Sequence, residues 1–473
     1  MVPYPPWLNP GDNAWQLIAA TLVGLMSIPG IAILYGGLVQ RKWAVNTMLM
    51  AFSGFSLVML VWFLWGFKMS FGDPLPLGPG ILGNAVGAPQ PILGAGIEQQ
   101  ADIPLLKGLI PDFRFPESTL AYFQFVFAAI TPLLFLGSVI GRINFRVWLI
   151  FVPLWSTLAY SVNAFLVWGG GWWGAQGTLD FSGGYVIHLA AGTSGFVAAA
   201  VIGPRLARDR SRGVPNNLPM AAVGAGILWL GWNGFNGGDP YFAGADAATA
   251  VVNTNIATAT ALLVWVVMDQ ILAKDHKSTF LGAVNGMITG LVAITPAAGY
   301  VNTFGAILIG LIASVLVWFS WNKLSTIRPF NKVDDALGVV YTHGIAGLIG
   351  GLLVGVLADP DVIVYLGQGS TADVSFAGAL YGNPKQLLLQ AGAALTIIVW
   401  DALITFLILK FLGLFMQLRM PDEVLETGDV AMHDEEAYPQ ESLIAAGAPA
   451  ATRPAGSTDP ATSEVAQPAG PSG

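Results

Sequence analysis

Long uncharged stretches dominate this sequence and limit the folds that it can adopt. A helix needs roughly 20 apolar residues to cross the hydrocarbon core of a bilayer, which is about 30 Å thick. Stretches of this kind recur along the chain, and one long run divides in two at the turn-like sequence TPAAGY. They lie near residues 14–38, 44–67, 119–140, 147–168, 185–203, 218–238, 249–268, 279–300, 301–322, 336–358 and 386–416. The pattern predicts an all-α membrane protein with eleven transmembrane helices.

The composition also indicates a membrane protein. Hydrophobic residues make up 54% of the chain, charged residues make up 10%, and the mean hydropathy is +0.64, unlike a soluble domain. The 58 glycines indicate close helix packing, because small residues let helix backbones approach each other in lipid. Since the chain has no cysteine, disulfides and thiolate metal sites are excluded. No basic segment precedes the first apolar run, so we expect that run to remain as the first span.

The basic residues predict the orientation, because lysine and arginine collect on the cytoplasmic side of membrane proteins. Eleven crossings put the two termini on opposite sides. With the N-terminus outside, all of the 20 basic residues fall on the cytoplasmic side except Lys68, Lys107, Arg114 and Lys385. We therefore expect a multi-pass protein of the cytoplasmic (inner or plasma) membrane, with its N-terminus outside and its C-terminus in the cytoplasm.

The composition changes along the chain and divides it into three regions. Residues 1–417 form the predicted membrane domain. Residues 418–440 are polar and acidic without being low in complexity, which predicts a cytoplasmic region that folds on the membrane domain or on a partner. Residues 441–473 lack aromatic residues and are rich in Ala, Pro, Ser and Gly, which predicts a disordered tail.

Two of the four histidines lie inside predicted spans, where an ionisable side chain needs a partner. His188 and His343 lie in the similar segments DFSGGYVIHLAAG and DDALGVVYTHGIAG, each with an aspartate eight residues before the histidine. This similarity indicates an internal repeat. His276 and His433 fall in a predicted loop and in the C-terminal region, where we expect solvated imidazoles.

The repeat predicts that the two membrane histidines meet. They belong to the fifth and tenth spans, so two units of five spans must cross the membrane in opposite senses, and equivalent residues of inverted repeats approach each other near mid-depth. Each neutral imidazole of His188 and His343 can then satisfy the other, and the pair can hold or pass a proton. The alternative is that each is a core histidine bonded to a neighbouring helix. Asp180 and Asp335, at the starts of these spans, are expected to accept hydrogen bonds from free N–H groups.

Several segments together resemble the Amt/Mep/Rh family of ammonium transporters, and in particular its Amt/Mep branch. Over residues 12–440 they are, in order, IPGIAILYGGL, FQFVFAAITP, WGGGWW, LDFSGGYVIHLAAG, NNLPM…GWNGFNGG, ITPAAGYV and VDDALGVVYTHGIAG. The resemblance implies a homotrimer in membrane lipid with one narrow, mostly apolar pore in each subunit. It implies ammonium or methylammonium as substrate and no cofactor, metal, nucleic acid or enzymatic activity.

The resemblance implies roles for five aromatic residues. Phe127 and Phe235 match two stacked phenylalanines that close the pore from outside, and Trp232 matches a further pore aromatic. Trp168, with Phe123, matches a site that recruits the cation, where cation–π attraction contributes about 0.5 to 2 kcal/mol. Without the resemblance, core packing for the phenylalanines and a membrane-interface position for Trp168 are the alternatives.

The implied transport mechanism depends on desolvation. Ammonium that enters a pore of apolar rings and neutral imidazoles loses hydration, so its pKa falls and the neutral form becomes accessible. Potassium has no proton to release and bears the full desolvation cost. Ammonia would pass along the histidine pair, while the proton either returns outside or follows a separate histidine-assisted route; the sequence leaves both open.

Three residues depart from the pattern of the best-known bacterial members. Asp239 stands where many have a serine of the outer site, so it either strengthens cation recruitment or is simply solvated. Gly338 stands where many have an acidic residue, five positions before His343. Both features resemble the Mep-like and plant type-2 subgroup. Asp401 lies inside the last span, and we expect it to face another helix or subunit because an unpaired charge there is costly.

The C-terminal segment TGDVAMHDEEAY resembles the regulatory C-terminus of the family, which in many prokaryotic members contacts PII-type signal proteins. The alternative is a segment that packs only on the loops of its own chain. Two other functions remain open on this scaffold, a neutral-solute channel for water, urea or CO2 and an ammonium sensor.

Overall fold

The computed structural model describes residues 5–211, 213–368 and 374–439, and this part of the chain is helical with only isolated β-bridges. Ten of its helices are long and apolar enough to cross a membrane, and an eleventh is shorter. In chain order they are α1 (Pro10–Leu38), α2 (Arg41–Phe71), α3 (Glu117–Val139), α4 (Phe145–Ala175), α5 (Gly184–Ile202), α6 (Leu218–Gly238), α7 (Ala245–Leu272), α8 (Phe280–Ile294), α9 (Thr303–Thr326), α10 (Val340–Leu357) and α11 (Pro384–Leu412).

The predicted all-α membrane fold is thus confirmed, but eleven crossings stay a prediction. The stretch predicted at 279–300 contains only the 15 residues of α8, because the chain turns at residues 295–300. Fifteen residues span about 22 Å of helix, short of the hydrocarbon thickness. The predicted disordered tail, residues 441–473, lies outside the described residues, as does residue 440.

The starts of α5 and α10 share one local structure, which is the internal repeat in three dimensions. Before each helix an aspartate carboxylate accepts hydrogen bonds from two main-chain N–H groups, at 3.0 and 3.1 Å for Asp180 and at 3.2 and 2.8 Å for Asp335. Three residues after each aspartate, Gly183 and Gly338 adopt φ values of 108° and 75°. Glycine adopts this left-handed region without strain. The acidic residue that many family members carry at position 338 would not fit here, because a Cβ would overlap the ring of Trp321.

Helices α5 and α10 cross at unusually close range, and glycines make the crossing possible. A Cβ added to Gly192 would overlap the backbone of Gly344, and a Cβ added to Gly347 would lie 3.0 Å from Cβ of His188. Gly192 and Gly347 each lie four residues after the histidine of their repeat. Small residues at a crossing let membrane helices approach to backbone contact. The close approach brings the two histidine-bearing segments side by side.

An ion pair anchors the loop that leads into α10. The carboxylate of Asp334 accepts hydrogen bonds from Nη2 and Nε of Arg205 at 2.7 and 3.0 Å and from its main-chain N–H at 2.8 Å. Arg142 also donates to the main-chain oxygen of Asp334. Burial alone would raise the pKa of Asp334, but the hydrogen bonds and charge of Arg205, together with the charge of Arg142, outweigh it and hold the pKa below its ordinary value.

The substitution Asp334→Asn is expected to lower the free energy of unfolding by about 1 kcal/mol at neutral pH. Ion pairs that are partly exposed contribute up to about this much, and the bidentate, largely buried pair with Arg205 should reach the upper end of that range. Since the folded pKa is depressed, this contribution is present above the unfolded pKa of about 3.9 and is lost as the pH falls through the folded value. Thermal melting in detergent at pH 7 and below pH about 4 checks this. An equal difference at both pH values would contradict it.

The C-terminal region packs mainly on the start of α2 through two short helices, α12 (Asp422–Thr427) and α13 (Asp429–His433). The carboxylate of Asp429 accepts hydrogen bonds from the N–H groups of Val45 and Asn46 at 2.8 and 2.9 Å. Lys42 of α2 also joins the C-terminal region to the helical domain, because its ammonium donates to Asp209 at 3.0 Å and to the main-chain oxygen of Leu425 at 2.7 Å. The region is therefore docked on one face of the helical domain, which we name the tail face.

The expectation of a solvated imidazole is wrong for His433. Its Nε2 lies 2.9 Å from Oδ1 of Asn46, and its ring meets Phe145 edge-on at 5.4 Å between centroids. Burial lowers the pKa of His433. The sequence could not show this contact, because Asn46 and His433 are far apart in the chain. His276 is exposed, as expected, with Nδ1 2.9 Å from the main-chain oxygen of Gln270.

Candidate functional site

A column of buried rings runs through the interior, between α3, α5, α6 and α10. Phe127 of α3 and Phe235 of α6 are tilted against each other with ring centroids 4.4 Å apart. Below them the ring of His188 lies 5.9 Å from Phe235 and 5.3 Å from His343. The rings of Phe127, Phe235 and His188 are fully buried, and His343 is 5% exposed. The structure therefore brings together four residues that the sequence placed in a gate and a pore.

The two imidazoles are in hydrogen-bond contact, with Nδ1 of His188 and Nδ1 of His343 3.2 Å apart. Because one nitrogen must donate and the other accept, the pair shares one proton between the two Nδ1 atoms when both rings are neutral. Among the described residues, Nε2 of His188 has no hydrogen-bond partner although it is buried. A buried ring nitrogen without a partner is free to exchange a hydrogen bond with a small polar molecule in the column.

Trp232 holds the imidazole of His188 in place. Its ring stacks on His188 at 5.3 Å and on Phe235 at 4.8 Å, while its Nε1 donates to Oγ1 of Thr295 at 2.9 Å. The hydrogen bond fixes the indole, so the ring packed against it is fixed as well. Thr295 was not among the predicted site residues. It belongs to the segment ITPAAGYV, whose resemblance to the family was the available signal.

Trp168 stands at the end of the column opposite to the tail face. Its ring meets Phe127 edge-on at 6.2 Å, and its Nε1 donates to the main-chain oxygen of Asp180 at 2.7 Å. It is partly exposed, so one side of the indole is open. Asp180 thus serves two helices, because its carboxylate caps α5 and its carbonyl anchors Trp168.

Phe123 and Asp239 were both predicted to recruit the cation at an outer site. Both side chains are buried instead of lying at the surface. Phe123 is fully buried, with its ring 4.9 Å from Phe127 and packed against Gly238. Asp239 is 9% exposed at the end of α6, and Oδ2 of its carboxylate has no hydrogen-bond partner among the described residues. A buried carboxylate oxygen that is not satisfied by the protein can accept a hydrogen bond from a cation.

A cavity of about 240 Å³ leads from His343 toward the tail face. Apolar side chains line most of it, with His343, Thr342 and Tyr35 at the buried end and Gln40 and Asp209 at the other. The hydroxyl of Tyr35 donates to the main-chain oxygen of Leu134 at 3.0 Å, so it is satisfied within the wall. The cavity connects the imidazole of His343 with the tail face, which carries α12 and α13.

Asp401 lies away from this column, on the buried side of α11. It is fully buried, and its Oδ2 accepts a hydrogen bond from Nδ2 of Asn163 in α4 at 2.7 Å. The prediction that it faces another helix is confirmed. Among the described residues no group of three or more histidine, aspartate or glutamate side chains is placed to hold a metal ion.

The column, the histidine pair and the two capping aspartates can be compared with known proteins. A model of the Ammonium Transporter Family matches residues 14–438. Ammonium transporter 2 member 1 of Oryza sativa subsp. japonica is 48% identical over 440 residues, which cover 92% of this chain and 88% of the relative. Ammonium transporter 2 of Arabidopsis thaliana is 47% identical over 442 residues, covering 92% and 89%.

The solved structures give the same answer for the fold. The crystal structure of Saccharomyces cerevisiae Mep2 matches with a TM-score of 0.75 and 27% identity, covering 88% of this chain and 89% of that one. Both plant relatives are type 2 transporters by name, in agreement with the subgroup that the sequence resembles. The agreement of family model, relatives and structure over nearly the whole helical domain shows that this chain is a member of the ammonium transporter family.

Proposed function

We propose that the chain moves ammonium across the cytoplasmic membrane through the column of rings. The cation is recruited at Trp168 with Phe123 and Asp239, and it gives up its proton at the gate formed by Phe127 and Phe235. The proton either returns to the water outside or follows a separate histidine-assisted route. Ammonia, with or without a coupled proton, then passes Trp232, His188 and His343 and leaves through the cavity. The observation that carries the proposal is the hydrogen-bonded imidazole pair, buried at the meeting point of two repeat units.

Desolvation gives the pore its selectivity. In the column, ammonium meets aromatic rings and neutral imidazoles, which replace only part of its hydration. The neutral form pays a much smaller desolvation cost, so release of the proton removes most of the barrier. Potassium has no proton to release and bears the full desolvation cost of entering an apolar passage. Ammonia can also exchange hydrogen bonds with the free Nε2 of His188 as it passes.

The arrangement of the whole protein in the membrane is part of the proposal. We infer eleven crossings, with α8 as the eighth, the N-terminus outside and the tail face in the cytoplasm. Residues 1–417 form the membrane domain, and residues 418–440 form a cytoplasmic regulatory region. The protein assembles as a homotrimer in lipid, with one pore per subunit. The hydrogen bonds of Asp429 and the bridge made by Lys42 support a regulatory region that docks on its own chain. A PII-type protein as its partner is proposed from the family resemblance of this segment alone.

A neutral-solute channel is the closest alternative, because an apolar passage also suits uncharged molecules. The buried carboxylate oxygen of Asp239 and the partly exposed indole of Trp168 favour a cation, because a negative charge and the face of an aromatic ring attract ammonium more strongly than uncharged urea or CO2. An ammonium sensor on the same scaffold would bind ammonium at the same recruitment site without sustained flux.

Purified protein in liposomes tests the proposal. Imposed gradients of ammonium and methylammonium are expected to produce flux above that of protein-free liposomes, whereas a urea gradient is not. Binding of ammonium without flux would favour a sensor, and urea flux without ammonium flux would favour the neutral-solute channel.

The substitution Phe235→Ala is expected to open the gate and weaken selectivity, because it removes the ring that lies 4.4 Å from Phe127 and covers His188. We expect a measurable potassium flux and a cost in stability of about 3 kcal/mol for the lost buried ring. Potassium flux relative to ammonium flux in liposomes is the measurement. Phe415→Ala, at a ring that is 74% exposed, is the matched control and should leave both fluxes unchanged. Unaltered selectivity in folded Phe235→Ala would count against this gate.

A further inference from the structure

The last membrane helix, α11, lies outside the two five-helix units, yet its buried face carries polar side chains. They are Gln386, Gln390, Asp401 and Thr405, all buried against other parts of the protein. Polar side chains within membrane spans face the protein and have specific partners, because lipid offers none. Each of these side chains is therefore expected to have a hydrogen-bond partner within the protein.

Gln390 makes every hydrogen bond that an amide side chain can make. It is fully buried, and its Oε1 accepts from the main-chain N–H of Leu179 at 2.8 Å and from Nε2 of Gln386 at 3.2 Å. Its Nε2 donates to the main-chain oxygens of Leu179 at 2.6 Å and Gly351 at 2.9 Å. Two donors and two acceptor positions are the full capacity of the group. A fully satisfied buried amide fixes the relative positions of its partners.

The two main-chain segments that Gln390 joins belong to the two repeat units. Leu179 directly precedes Asp180, whose carboxylate caps the helix of His188 and whose carbonyl accepts the hydrogen bond of Trp168 at 2.7 Å. Gly351 lies in α10, two turns after His343. One side chain thus connects the start of α5 with the body of α10.

Glycines on α10 let this connection form at close range. Gly347, Gly351 and Gly355 are spaced by four residues and so share one face of the helix. A Cβ at Gly347 would lie 3.0 Å from Cβ of His188, and a Cβ at Gly355 would lie 2.8 Å from Cγ of Gln390. Helix α10 therefore packs on α5 and α11 along the same face. A shift of α11 would move α10 and so change its contact with His188.

We propose that Gln390 is a positioning residue for transport. It sets the offset between α5 and α10, and through Leu179 and Asp180 it sets the orientation of Trp168. The spacing of the two imidazoles and the geometry of the recruitment site then both depend on the last helix. This inference rests on the proposed ammonium transport, because it assigns Gln390 to that site.

The variant Gln390→Met tests the proposal, because methionine has a similar length and flexibility and leaves little empty space. It removes both donors and the acceptor. The ammonium concentration that gives half-maximal flux is expected to rise by about fivefold, the effect of one ordinary hydrogen bond. Potassium flux relative to ammonium flux is expected to rise in the same variant. A residue that only stabilises the fold would change the yield or melting temperature and leave both transport quantities as in the unmutated protein.

Two further variants complete the experiment. Gln390→Glu keeps the length and, as a carboxylic acid, keeps one of the two donors, so it should show the same changes in smaller size. Thr396→Val is the control on the same helix, because the hydroxyl of Thr396 donates only to the main-chain oxygen of Gly392 at 3.0 Å within α11. It should behave as the unmutated protein does. If Gln390→Met does not fold, Gln390→Glu decides.

The outcomes separate the two proposals. The role of Gln390 would be overturned if folded Gln390→Met had the same half-maximal ammonium concentration and the same selectivity as the unmutated protein. Where the methionine variant does not fold, the same result in folded Gln390→Glu would overturn it. Either result would leave ammonium transport standing. Absence of ammonium flux in the unmutated protein would overturn the proposed function itself. Matching changes in the two Gln390 variants but not in Thr396→Val would establish the positioning role.

Discussion

Replacing His188 by alanine is expected to reduce ammonium flux by about tenfold or more. The imidazole is fully buried, its Nδ1 is 3.2 Å from Nδ1 of His343, and its Nε2 is free. Its removal leaves the remaining imidazole without its partner and deprives ammonia of a hydrogen-bond partner in a passage lined mostly by apolar rings. The loss of one such interaction raises a barrier by about 1 to 3 kcal/mol, and each 1.4 kcal/mol corresponds to a tenfold change in rate.

The control for this prediction is His276→Asn. His276 is exposed and adopts a positive φ of 51°, a conformation that asparagine tolerates. Its substitution should leave flux unchanged. Equal flux in folded His188→Ala and the unmutated protein, measured in liposomes at matched protein content, would remove the assigned role of the pair.

The substitution Gly192→Ala is expected to damage both the fold and transport. The added methyl group would overlap the backbone of Gly344, so α5 and α10 must move apart and the two imidazoles separate. Overpacking of this kind costs about 1 to 3 kcal/mol. We expect a lower melting temperature together with an ammonium flux that falls about as far as in His188→Ala, by about tenfold.

Gly226→Ala is the matched control, because a Cβ at Gly226 has no heavy atom within 4 Å. Alanine at this position of α6 should be neutral or slightly stabilising. If Gly192→Ala melted and transported like Gly226→Ala, the close crossing of the two repeat units would not be what holds the histidines together.

The sequence was informative wherever a local pattern carries a physical requirement. Apolar runs of membrane length predicted the helical domain, and the motif shared by Asp180 and Asp335 predicted two equivalent helix starts with a histidine in each. Both follow from chain-local rules, since hydrocarbon thickness sets span length and free N–H groups at a helix start favour a carboxylate. The positions of the aromatic residues needed the family resemblance, because nothing local distinguishes Phe235 from the other phenylalanines.

Contacts between distant segments were beyond reach of the sequence. The hydrogen bond between His433 and Asn46, the anchoring of Trp232 by Thr295 and the bonds of Gln390 to two repeat units each join residues that share no periodicity. The short α8 is a different case, since the sequence marked TPAAGY, residues 295–300, as turn-like but the predicted span still included these residues and was therefore too long. Hydropathy records the surroundings of a segment and carries little information about whether the backbone remains helical.

In the proposed mechanism, two buried imidazoles serve a passage that admits ammonia once ammonium has released its proton. The decisive measurement applies ammonium and potassium gradients in turn to the same liposomes, with the unmutated protein and with a His188→Ala and His343→Ala double variant. We expect a clear ammonium flux and no potassium flux in the unmutated protein, and loss of the ammonium flux or of its selectivity in the double variant. Equal flux of both ions in the unmutated protein, or unchanged selective ammonium flux in the double variant, would rule this mechanism out.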